Sequence, residues 1–278
     1  MGRRIAILQH ASERGQNTSG YAIQRMIPFW REDGHEVFTL FGPDEYRPAD
    51  ILFLHVDLSG VPEAYMELAS RYPAAVNARV RDIRKSVFSE HLLGPGDDWT
   101  GPVIVKSNRN FGGLPEAQRG VPRLDGKGLN PPFRSPMEYR LFSRLQEVPP
   151  EVFEMPDLVV QRFLPEIEDD LFHTHSYFFL GSWGKCTRHA SPNPIVKEET
   201  RCASYPAEVA PEILDLRQRM GFDYGKFDYV RHEGRVVLLD VNKTIGAGRF
   251  IARRDSAWYH ANRRARAQGL YSLFPAST

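Results

Sequence analysis

The chain has 278 residues, of which 41% are hydrophobic and 26% charged, and its 36 Lys and Arg against 35 Asp and Glu leave a formal net charge of +1. That length is ample for a sizeable core in one large domain or in two or three lobes, and the composition is that of an ordinary soluble globular protein rather than a disordered segment. A balance this near neutrality gives no reason to expect nucleic acid or a membrane surface as partner, and no stretch approaches the roughly 20 apolar residues needed to span a bilayer.

The N-terminus Met1-Gly2-Arg3-Arg4 is basic, but the apolar run after it, Ile5-Ala6-Ile7-Leu8, is too short for a signal-peptide core and reads instead as a buried strand. A polar loop over 9–19 leads into a helical stretch over 21–33, which Gly34 ends. Strands are predicted over 36–41 and 51–56, then a helix over 62–71 and a short strand over 74–76. Strands alternating with helices indicate a parallel α/β lobe over residues 1–80, with ligands expected beyond the carboxyl ends of its strands. The loop from Gln9 to Glu13 is therefore a candidate substrate contact.

Residues 82–93 are predicted to be a helix leading to the next lobe. The strand over 102–107 ends in Lys106, and the turn after it carries Gly112-Gly113. Glycine lets backbone N–H groups approach an anion while the ammonium supplies charge, so the pairing is a candidate phosphate site; taken alone, a strand-end lysine facing water is the better reading. Neither G-x-x-x-x-G-K-[ST] nor G-x-G-x-x-G occurs, so a P-loop and a Rossmann site are unsupported. A Pro- and Gly-rich insertion over 114–136 has the character of a lid or binding loop. A helix over 137–146 follows, then a buried strand over 158–164, an acidic run with Glu166 and Glu168, a hairpin of 176–180 with 185–189, and helices over 211–220 and 256–268.

Cys186 and Cys202 have neither metal-ligand nor disulfide spacing, which points to free thiols in a reducing cytoplasm. His173, His175 and His189 lack a fourth ligand and supporting cysteines, so zinc is not expected. The arginine-rich stretch over 249–266 reads as a solvated basic helix, although Arg249 and Arg253, beside Gly246-Ala247-Gly248, are candidates for holding an anionic substrate.

The most informative segment is Gly225-Lys226-Phe227-Asp228-Tyr229-Val230, followed across His232-Glu233-Gly234 by Arg235-Val236-Val237-Leu238-Leu239-Asp240-Val241-Asn242. On adjacent strands the period-2 alternation lets Asp228, Asp240 and Asn242 converge. A solvated hairpin is the bland alternative, but these acids lie among apolar strand residues rather than at turn tips. Hard oxygen donors of this kind suit Mg²⁺, which accepts one or two carboxylates and completes its octahedron with water and nucleotide phosphates.

A small α/β lobe, a lysine-ended strand, a glycine turn, a Val-Val-Gln-x-Phe-Leu strand, Gly225-Lys226-Phe227-Asp228 and Leu239-Asp240-Val241-Asn242 together resemble the ATP-grasp superfamily over roughly residues 1 to 250. The resemblance, to the carboxylate-amine ligases of the RimK and glutathione-synthetase type, implies an α+β, ATP-grasp fold: an N-terminal lobe over 1–80 and an ATP-grasp domain over 81–278, whose two α+β subdomains, 81–164 and 165–278, clamp ATP. It implies a ligase that activates a carboxylate as an acylphosphate for attack by an amine, with ATP and Mg²⁺ or Mn²⁺ as cofactors, small-molecule substrates, and a homodimer as one arrangement seen in the family. A small-molecule kinase and a catalytically silent nucleotide-binding module are the alternatives.

The same resemblance assigns residues. Asp228, Asp240 and Asn242 fall on the metal positions; Lys106, Lys85 and the Gly112-Gly113 turn on the phosphate positions; the backbone of Gln161, Arg162, Phe163 and Leu164 on the adenine hinge; and Glu168 on the ribose acid. Arg188 falls on the arginine that contacts the transferred phosphoryl group. His175, Lys197 and Arg249 are substrate candidates.

Overall fold

The computed structural model describes residues 2–121, 135, 137–247 and 257–275. Three sheets organise it. The first is parallel, in the order β2-β1-β3-β4, from β1 (Arg4–Gln9), β2 (Glu36–Phe41), β3 (Ile51–Leu54) and β4 (Ala75–Val76). Both its faces are covered, which is why Ile5 to Leu8 is apolar at every position rather than at alternate ones. One face packs on Tyr65, Leu68 and Ala69 of a helix over Glu63–Ser70. The other packs on Trp30 and Phe29, on Leu180 and Tyr224 of the third sheet, and on Leu270 near the C-terminus, with the Trp30 indole donating to Ala267 O at 2.8 Å.

The second sheet is antiparallel, β6-β5-β7, from β5 (Val103–Ser107), β6 (Arg140–Phe142) and β7 (Leu158–Arg162). The third holds β8 (Glu166–Glu168), β9 (Leu171–Leu180), β10 (Trp183–Ser191), β11 (Ala203–Ala207), β12 (Tyr224–His232) and β13 (Arg235–Asn242), in the order β11-β10-β9-β12-β13 with β8 also pairing β9. A helix over Pro211–Arg219 covers one face of this sheet, burying Ile213 against Tyr177, Phe227 and Tyr229. No described helix is long and apolar enough to cross a membrane.

Several predicted helices are shorter or replaced. Over 82–93 only Lys85–Phe88 is helical, because Leu92 and Leu93 are drawn onto β7, Leu93 N donating to Val160 O at 2.9 Å. Residues 137–146 are the strand β6 and the start of a 3₁₀ turn over Leu145–Glu147: pairing with the β5 edge overrides helical propensity. The stretch over 21–33 divides into a 3₁₀ turn, Ala22–Arg25, and a helix, Ile27–Glu32, since Ala22 N is taken by Ile245 O and Pro28 lacks an N–H. The insertion after β5 begins as a helix over Leu114–Gln118; residues 122–134 and 136, like Arg249 and Arg253, lie outside the described residues.

Candidate active site

β12 and β13 place Asp228 opposite Asp240 and Lys226 opposite Asn242. Facing residues in an antiparallel ladder project to the same side, so these four share one face. Lys226 Nζ lies 2.8 Å from Asp228 Oδ2, and Ser176 on β9 donates to Asp228 Oδ1 at 2.6 Å. Burial works against the Lys226 ammonium, but the Asp228 carboxylate outweighs it and holds the group above its ordinary range.

Two lysines arrive from the second sheet and the segment before it. Lys106, buried near the end of β5, donates to Leu239 O at 2.9 Å, and Lys85 Nζ lies 3.1 Å from Asp240 Oδ1. Asn108 brings them together: its carbonyl accepts from Lys85 N at 3.0 Å and its Oδ1 from Ser86 N at 2.9 Å, which clamps the short helix to the turn after β5. Burial, and then the neighbouring Lys85 charge, push Lys106 down to about 7. Burial alone would raise Asp240, but Lys85 and Lys106 hold it below the usual carboxylate range. Burial and the two carboxylates raise the Tyr139 phenol, and Lys197 Nζ, donating to Met137 O at 3.2 Å, lies 4.9 Å from the centre of the Tyr139 ring. The result is a cleft between two sheets with two carboxylates and an amide on one wall and buried cations on the other.

Comparison with solved structures decides the fold. A RimK domain ATP-grasp protein from Sphaerobacter thermophilus superposes with a TM-score of 0.53 at 13% identity, over 97% of this chain and 99% of that one. The macrocyclase MdnC from Microcystis aeruginosa, bound with precursor peptide MdnA, gives 0.52 at 12% identity over 96% and 99%. D-alanine–D-alanine ligase from Bacillus anthracis, complexed with ATP, gives 0.51 at 13% over 99% and 96%. The chain has the ATP-grasp fold. No protein-family model matches the sequence, and no curated protein does.

Within this ATP-grasp fold the other sequence-predicted residues fall in different places. Arg188 is not brought to the face that carries Asp228 and Asp240. Asp228 pairs with Ser176 and Ser176 with Thr187, so Arg188, one residue on, points to the opposite, helix-covered side. There its Nη2 lies 2.8 Å from Glu166 Oε1 and its Nη1 2.5 Å from Glu168 Oε2. His175 sits on that same side, 3.1 Å from Glu166 Oε2 and stacked on Tyr229. Burial alone would raise Glu166, but the His175 hydrogen bond, the Arg231 N–H and the Arg188 charge hold its carboxyl down to about 2. Gln161 is buried with its amide donating to Ser89 Oγ at 2.6 Å; Arg162 N donates to His91 O and Phe163 N to Pro102 O, both at 2.9 Å, and Leu164 is half-buried beyond them. Gly112 and Gly113, with φ of 64° and 68°, lie between Phe111 and Leu114, which line a cavity against the first sheet's lobe.

Three features add to the residues that the resemblance assigned, the third including Glu13 of the loop read as a candidate substrate contact. Lys226 shares the Asp228 face, and the alternation that found the acids also marks it. His189 lies on the cleft side of β10, where burial and then Arg201, 3.2 Å from its Nδ1, lower it to about 4; no local pattern places Arg201 there. Third, the polar cluster of Glu13, Tyr21, Asp57 and Arg119 forms from segments far apart in the chain. Among the described residues no group of three or more His, Cys, Asp or Glu is placed to hold a metal. Two carboxylates and the Asn242 amide are the available set. They fit an oxygen-preferring divalent cation whose remaining positions are filled by phosphate and water, and not a zinc site closed by protein.

Proposed function

We propose that the protein is an ATP- and Mg²⁺-dependent ligase joining a carboxylate to an amine. The observation that carries this reading is the facing pair Asp228 and Asp240, with Asn242 on the same wall, set against the buried ammonium groups of Lys85 and Lys106. Phosphoryl transfer asks a protein for positioning and charge neutralisation more than for a covalent nucleophile, and this cleft supplies both. Asp228, Asp240 and Asn242 would hold Mg²⁺, or Mn²⁺, which neutralises and orients the nucleotide phosphates. Lys85 and Lys106 exchange their protein acceptors for phosphate oxygens, and the nucleotide's negative charge favours the protonated form of Lys106. The substrate carboxylate then attacks the γ-phosphorus, ADP leaves, and the amine displaces phosphate from the acylphosphate carbonyl while giving up a proton. Lys226 and Arg201, on the cleft side, are the cations placed for the developing phosphate charge, a role the resemblance gave to Arg188, and the His189 ring, held neutral near pH 7, sits against Arg201. The hinge from Gln161 to Leu164 is the proposed adenine contact.

The test is thermal unfolding with a non-hydrolysable ATP analogue, with and without Mg²⁺, for the wild type and Asn242→Ala. A ligand bound only by the folded state stabilises it by about 2.7 kcal/mol at a hundredfold excess over Kd. A magnesium-dependent rise that Asn242→Ala loses supports the reading, after which ADP release identifies carboxylate and amine pairs. A stable phosphorylated product would turn it to a kinase, and no rise under any condition removes its basis.

A further inference from the structure

A cavity of about 510 Å³ lies between the first lobe and the end of β13, and Glu13, Tyr21, Asp57, Phe111, Arg119 and Asn242 are among the residues that line it. Its hydrogen bonding does not close. Tyr21 Oη is 2.7 Å from Glu13 Oε1 and 2.9 Å from Asp57 Oδ2, and a phenol has one proton, so it can donate to only one of the two carboxylates. Thr244 Oγ1 donates to the other oxygen of Asp57 at 2.5 Å, His10 N to Glu13 Oε2 at 3.0 Å, and Arg119 Nη2 lies 3.3 Å from Glu13 Oε1. Two acids therefore share one phenol proton, with the Arg119 guanidinium beside Glu13 and the buried Lys243 charge near Asp57. Arg119 gives a second, independent sign of a ligand: its side chain is only 6% exposed, yet its Nε has no hydrogen-bond partner.

Part of the lining is apolar. Phe111 is 58% exposed and adopts φ of 46°, the left-handed region that a bulky side chain rarely enters, beside Leu114 and Pro115. Asn242, the last residue of the proposed metal set, closes the end nearest the cleft.

We propose that this cavity binds an α-amino acid with a free ammonium group and an apolar side chain, the ammonium seated between Glu13 and Asp57, the carboxylate turned to Arg119 and the side chain against Phe111. An ammonium has three donors and no acceptor, which supplies what Tyr21 cannot. The ligand's role as a substrate rests on the ligase reading; its binding does not.

Isothermal titration of the whole chain with L-leucine, D-leucine and L-phenylalanine, against N-acetyl-L-leucine, L-leucinamide and L-aspartate, tests the assignment. At least one of the three apolar amino acids binds. The acetylated compound, which has no ammonium, binds about tenfold more weakly or worse because charge-assisted hydrogen bonds are lost, and the acidic one does so because its side-chain carboxylate is set against the apolar Phe111. Asp57→Asn lowers the affinity by a similar factor, and leucinamide is weaker than leucine. If Asp57→Asn does not fold, Glu13→Gln and Tyr21→Phe carry the same expectation. Equal binding of leucine and N-acetyl-L-leucine, or no binding by any of the three amino acids, overturns the proposal. The ATP analogue with Mg²⁺ is titrated in the same preparations. Its failure to bind would sink the ligase reading and leave the amino-acid result standing, whereas nucleotide binding without amino-acid binding would sink only the present assignment.

Discussion

On β9, β10 and β12 the residues His175, Arg188 and Tyr229 point to the helix-covered side of the large sheet, while their neighbours Ser176, Thr187 and Asp228 point into the cleft. Both faces carry charge and neutralise it differently. On the covered side Glu166 lies among Arg188, His175 and the Arg231 N–H, all within the same sheet, so its charge is balanced without a group from outside. In the cleft, Asp240 is balanced across the gap by Lys85, which comes from outside the sheet and which a phosphate could draw away. A closed network supports the fold; one shared between two sheets can be exchanged for a ligand.

The largest test of this contrast is Asp240→Asn. Loss of one carboxylate of the proposed metal set is expected to lower ATP turnover by about a thousandfold or more, the scale on which removed electrostatic stabilisation shows itself in phosphoryl transfer. ADP release measures it, and a cooperative unfolding transition shows that the fold survives. Turnover within tenfold of the wild type would mean that the cleft face is not the reactive one. Glu166→Ala is the counterpart on the covered face. Leaving Arg188 and His175 without their carboxylate costs about 3 kcal/mol of stability in urea unfolding, while the magnesium-dependent response to the ATP analogue persists.

The covered network also has a pH window. Glu166 is held at about 2 against an ordinary 4.5, so its contribution is full above 4.5 and is lost as pH falls toward 2. Burial pushes the His175 imidazole down, and the neighbouring Cys186 and the Glu166 carboxylate prevail and raise it, so its contribution is full below 6.5 and lost as pH rises through the raised value. The two together are at their greatest between about 4.5 and 6.5. Glu166→Gln flattens both limbs of a plot of unfolding free energy against pH, and an unchanged acid limb would remove Glu166 from the account.

What could be read from the sequence follows the range of the interactions. The parallel lobe was legible because strands buried on both faces are apolar throughout, and the convergence of Asp228, Asp240 and Asn242 because a hairpin converts a period of 2 directly into a shared face. The ATP-grasp fold followed from the order of these elements. The strands β6 and β11 were not legible, since short segments at a sheet margin take their conformation from the partner they meet, and β6 was read as helix. Arg188 and His189 stand one apart on β10, and only the registers from β12 through β9 to β10 decide which enters the cleft. Glu13, Tyr21, Asp57 and Arg119 meet through contacts that no window of sequence contains.

The finest test uses that single step of register. Arg188→Lys keeps the charge but loses the fork that engages Glu166 and Glu168 together, and is expected to cost about 1 kcal/mol of stability with KM for ATP unchanged. His189→Ala should do the reverse: the ring lies on the cleft side with Arg201 against its Nδ1, so its removal frees that guanidinium and shifts KM or kcat a few-fold at nearly constant stability. Urea unfolding and steady-state kinetics on the two variants read both effects. If Arg188→Lys moves the kinetics and His189→Ala moves only the stability, the assignment of the two faces is inverted, and the arginine belongs where the order of elements first placed it.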